Sequence, residues 1–66
     1  MNTKPVEQIK YNEMVRRVIG GKEGIATYRR GEYDSSTRLY MLHAEDDISR
    51  TLTIKRGTQL SVGFTY

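Results

Sequence analysis

In the last nineteen positions, ISRTLTIKRGTQLSVGFTY, the apolar residues are Ile48, Leu52, Ile54, Leu60, Val62, Phe64 and Tyr66, and every one is even-numbered. A period of two over that length predicts two β-strands sharing one buried face. The turn between them is constrained as well, because directly opposed residues share a face. A two-residue turn at Arg56-Gly57 would set Thr53 against Leu60 and break the apolar side. A three-residue loop of Lys55, Arg56 and Gly57, with Gly57 left-handed in a bulged turn, instead sets Ile54 opposite Thr58, Leu52 opposite Leu60 and Ile48 opposite Phe64.

Something must cover that face, and the N-terminal third is the candidate. Pro5 suits a first helical turn, Thr3 or Asn2 can cap it, and Glu7 favours the positive end of the dipole. Tyr11, Met14, Val15 and Val18 recur at helical spacing, Arg16 and Arg17 complement a helix C-terminus, and Gly20 is a left-handed stop. A helix over residues 5–19 would be about 22 Å long at 1.5 Å per residue, enough to span a small sheet.

Residues 25–30, 37–43, 48–54 and 58–66 read as strands, joined by a polar turn at 31–36 and an acidic link at 44–47. The expected fold is therefore α+β, an N-terminal helix packed on a four-stranded antiparallel meander. Its inner face would carry Ile25, Leu39, Met41, Leu52, Ile54, Leu60, Val62 and Phe64. Its outer face would carry Ala26, Tyr28, Arg30, Arg38, Tyr40, Leu42, Thr51, Thr53, Ser61, Gly63 and Thr65. The rival architecture is an all-β barrel in which residues 14–19 and 25–30 form a hairpin about GGKEG.

With 66 residues the chain is one small domain that buries about 60% of its unfolded surface, so a second copy is the expected support. There is no cysteine, which excludes disulfides and thiolate metal sites and fits a reducing cytoplasm. The start MNTKPVEQIK lacks the apolar stretch of a signal peptide, and no apolar run reaches membrane-spanning length, so a cytoplasmic, membrane-free protein is expected. Eleven basic against eight acidic side chains give a net charge of +3, a mild bias toward anionic partners.

For function, the in-phase set Tyr28, Arg30, Arg38 and Tyr40 resembles a stacking platform, where rings and guanidinium planes accept bases. Arg16 and Arg17 would add phosphate contacts. The leading expectation is a non-catalytic module acting on nucleic acid or a nucleoprotein through this basic, Tyr-bearing face. The alternative is an inhibitor or adaptor of the kind phages and mobile elements encode, blocking a host protein by surface occlusion. One histidine and no cysteine make nucleophilic catalysis improbable, though His43 with nearby Arg and Tyr is the set a metal-free ribonuclease would use. His43 beside Glu45, Asp46 and Asp47 is a weak metal motif, since consecutive turn residues diverge. No enzyme activity, cofactor or metal is expected.

Overall fold

Among the described residues six strands, β1 (Asn2–Pro5), β2 (Met14–Ile19), β3 (Lys22–Asp34), β4 (Leu39–Ala44), β5 (Thr51–Lys55) and β6 (Gln59–Val62), form one sheet in the order β1-β6-β2-β3-β4-β5. Every adjacent pair is antiparallel. The structure is a computed structural model and describes residues 1–47 and 49–64. The expected positions of Ile48, Thr65 and Tyr66 lie outside the described residues.

The expected N-terminal helix does not form, and the α+β reading gives way to an all-β fold. Among the described residues the helical content is one 3-10 turn, Val6–Gln8. Pro5, expected to open the helix, is extended at φ −64° and ψ 146° and ends β1, an edge strand where its missing N–H costs no ladder bond. The helical spacing of Tyr11, Met14, Val15 and Val18 joined residues of two different elements, for Tyr11 lies exposed in the loop before β2. Within β2 the branched side chains Val15, Val18 and Ile19 favour the pleated backbone over a helix.

Gly20, read above as a helix stop, forms a hairpin turn with Gly21. Their φ values are +59° and +79°, and Ile19 pairs with Lys22 across them, the arrangement of a two-residue type I′ turn. The rival hairpin forms in part: residues 14–16 pair with 27–29, but the turn is Gly20-Gly21 alone, and Lys22 and Glu23, expected in the GGKEG loop, pair with Ile19 and Val18.

The C-terminal strands exist, but not as a hairpin. β5 pairs with β4, while β6 pairs with β2 and β1. Gly57 does take a left-handed φ of +88°, in a turn closed by the Thr58 N–H donating to the Lys55 carbonyl at 3.2 Å. With alternating directions across the sheet, β5 and β6 point the same way and are joined by three residues only, 56–58. In a flat sheet such strands need a crossover of about a dozen residues. The sheet must therefore coil until β6 continues from β5 around a corner, giving an open barrel.

The segment after β1 fastens that corner. Val6 N–H donates to the Thr58 carbonyl at 3.0 Å, and the Gly57 N–H donates to Glu7 Oε1 at 2.7 Å. Val6 and Ile9 then enter the core with Val15, Tyr28, Tyr40, Leu42, Ala44, Leu60 and Val62, and Ala26, Leu52 and Ile54 pack against it. The phase expected for the last two strands holds at Leu52, Ile54, Leu60 and Val62. On β3 and β4 it is inverted: Tyr28, Tyr40 and Leu42 face the core, while Leu39 and Met41 are only half-buried and Ile25 is fully exposed.

Candidate binding groove on the β2–β3 arm

β3 is thirteen residues long, and its pairing with β4 begins only at Tyr28, opposite Ala44. On the other side β6 pairs with β2 at Arg16 and Arg17. The hairpin tip therefore extends past both neighbours as an arm. Between the Arg16–Thr27 and Val18–Glu23 pairs, Arg17 alone stands against Gly24, Ile25 and Ala26. Such a bulge re-aims side chains. Ile25 is 97% exposed and Ile19 61% exposed.

These residues border a groove of about 280 Å³ lined by Arg17, Ile19, Gly24, Ile25, Ala26 and Tyr28. Apart from the Arg17 guanidinium and the Tyr28 hydroxyl its lining side chains are apolar. A depression of about 310 Å³ beside Glu32, Tyr33, Asp34, Ser35 and Met41 is the polar counterpart near the β3–β4 turn.

Neighbouring residues on a strand point to opposite faces, and Arg16 and Arg17 show the consequence. Arg16 Nε donates to Thr27 Oγ1 at 3.0 Å, its Nη1 lies 2.9 Å from Glu23 Oε2, and its guanidinium sits 4.1 Å above the Phe64 ring. Ser61 Oγ donates to the other Glu23 oxygen, so two buried polar side chains, Thr27 and Ser61, are satisfied within one network. The Ser61 hydroxyl first, and Arg16 second, hold the Glu23 carboxyl below its usual range. This network ties the arm to β6. Arg17, on the other face, is exposed and has no ion pair among the described residues, whereas Arg16, Arg29, Arg50 and Arg56 each face a carboxylate.

The six residues singled out in the sequence do not form one platform. Tyr28 and Tyr40 are 8% and 9% exposed, core residues whose rings are not open to stacking bases. Arg30 lies 4.8 Å over the Tyr40 ring and donates from Nη1 to the Gly31 carbonyl at 2.9 Å, while Tyr33 covers Tyr40 at 4.6 Å between centroids. That stack is internal. Tyr28 and Arg17 meet at the arm groove, and Arg16 belongs to the opposite face. Arg38 is exposed in the β3–β4 loop with φ +61°, and among the described residues no hydrogen bond, ion pair or ring contact links it to the other five.

Around His43 the acidic residues each have another task. Glu45 pairs with Arg29, Asp46 with Arg50, and Asp47 accepts from the Ser49 N–H at 3.0 Å. Among the described residues no three His, Asp or Glu side chains are grouped to hold a metal ion. No helix among them is long and apolar enough to cross a membrane.

Ile19 and Ile25 are the site residues the sequence reading missed. Ile19 falls at the end of the helix expected over residues 5–19, and Ile25 on the expected inner sheet face. The available signal was Gly24 inside a strand pattern, which marks a bulge and interrupts the alternation that assigned Ile25 inward. Comparison of the chain with protein-family models, curated proteins and solved structures finds no match.

Proposed function

We propose that the protein is a small, non-catalytic binding module that occupies a surface of a partner protein through the β2–β3 arm. The observation that carries this reading is Ile25, a large aliphatic side chain held fully in solvent at the edge of a groove. Burying such a side chain against a partner contributes about 1.5–3 kcal/mol, the scale of an interface anchor. The groove lining holds no acid–base pair, which supports binding over catalysis. Base stacking loses its support with Tyr28 and Tyr40 in the core, and nucleic acid becomes an outcome for the test. A chain without cysteine accords with action in a reducing cytoplasm.

The test is affinity capture from a lysate of the native host, with and without nuclease, comparing the unaltered protein with Ile25→Asp. The expected result is a protein partner retained after nuclease and lost with Ile25→Asp. Recovery abolished by nuclease, or unaffected by Ile25→Asp, overturns the reading.

A further inference from the structure

Resting on the arm as the contact surface, we infer that its groove takes an extended acidic–apolar peptide segment of the partner. One bulky apolar side chain sits among Ile19, Ile25 and Tyr28, and a neighbouring Asp or Glu meets the Arg17 guanidinium. The groove, about 280 Å³, lies at the small end of the range for ligand sites and has room for an apolar side chain with its flanking main chain.

Charge selects the occupant. Arg17 lies in the groove wall and has no carboxylate partner among the described residues, and guanidinium presents a planar fork that a carboxylate accepts from bidentately. A second copy of the chain fits badly. In a two-fold contact the same patch meets itself, so both copies bring Arg17 and a net charge of +3 while the groove lining of neither brings a carboxylate. The main chain adds a third element. β4 pairing starts at Tyr28, so among the described residues positions 22–26 of β3 have no strand neighbour on that side, and an extended segment finds backbone groups to pair with.

The test uses end-blocked hexapeptide pools titrated into isotope-labelled protein and followed by amide chemical shifts. One pool holds Leu, Ile, Val and Phe around a single Asp or Glu, and the matched pool holds Lys in place of the acid. The expected result is shifts confined to residues 17–28 with the acidic pool, and affinity for it up to about fivefold above the Lys pool, the weight of an exposed charge pair. Arg17→Glu should invert that preference while leaving the unliganded spectrum otherwise native. Equal response to both pools, shifts centred elsewhere, or concentration-dependent shifts of the same amides without peptide overturn the inference. If lysate capture needs Ile25 but is indifferent to Arg17→Glu, the acidic class fails and the arm reading stands.

Discussion

The His43 imidazole lies across Gly31, so that a Cβ at Gly31 would fall 2.5 Å from its Cδ2 and Nε2 atoms and 3.0 Å from the Met41 carbonyl oxygen. Gly31 sits in the irregular stretch between the Arg30–Leu42 and Tyr33–Tyr40 pairs, where β3 bulges away from β4. The ring can swing aside, but the carbonyl belongs to the ladder. Gly31→Ala should therefore lower stability by about 1–3 kcal/mol, the cost of overpacking, and His43→Ala in the same chain should restore part of it. Urea unfolding of the three variants measures both.

Arg38 takes φ +61° at the end of the loop joining Asp34 to Leu39, its N–H donating to the Asp34 carbonyl at 2.7 Å. A left-handed backbone costs a side-chain-bearing residue about 1–2 kcal/mol relative to its preferred region. Arg38→Gly should raise stability, by about 1 kcal/mol once the added freedom of the unfolded chain is deducted. A drop in the denaturant midpoint would show that the Arg38 side chain contributes contacts that outweigh the backbone strain.

Val6 is fully buried although it belongs to a short turn outside the sheet. If that turn is a true part of the core, Val6→Ala should cost about 2 kcal/mol, most of the value of burying a valine. Thermal unfolding tests this, and an unchanged midpoint would mean the turn is not holding the coiled sheet closed.

Five carboxylates held below their usual range, Glu7, Glu23, Asp34, Glu45 and Asp47, make the protein acid-sensitive. Glu23 is held below its usual range by Ser61 and then Arg16, Glu45 by Arg29, and Glu7 by its own main-chain N–H and then that of Gly57. A depressed folded pKa stabilises the fold above the unfolded value of about 4.3, and this stabilisation is lost as pH falls through the folded values. The melting temperature should be flat near neutral pH and fall below about pH 4.3, with a shallower fall in Glu23→Gln.

Ile25 serves as its own control. Because it is 97% exposed, Ile25→Asp should change unfolding free energy by no more than about 0.5 kcal/mol, so any lost binding is not lost folding.

Much of the strand content was legible. The even-numbered apolar residues from Leu52 to Val62 do enter the core, because period two survives any choice of strand partner. Which strands pair was not legible: Leu52 and Leu60 share the core without being opposite one another, since Leu52 pairs with Leu42 and Leu60 with Arg17. Alternation assigns a face and leaves the neighbour open. On β4 it could not choose the face either, for Tyr40 and Leu42 alternate with Leu39 and Met41, and on β3 the irregularity opposite Arg17 takes Ile25 out of phase with the strand beyond it. The N-terminal third misled because Gly20-Gly21 serves equally as helix stop and hairpin turn, and the difference lies in tertiary pairing. The site followed the same pattern, with Arg17 and Tyr28 found and the two isoleucines lost to a bulge that breaks the period.

The corner between β5 and β6 determines when this sheet can exist. The sixth strand in chain order inserts between the first and the second, and among the described residues β1 pairs with no other strand. Everything up to Lys55 can assemble as a meander of near neighbours, but it lacks Leu60 and Val62 and has nothing to hold β1. Closure therefore waits on contacts between the far ends of the chain, the kind whose loop entropy slows folding most. Until that strand arrives, the meander exposes the flank of β2 where β6 later lies, next to the β2–β3 arm.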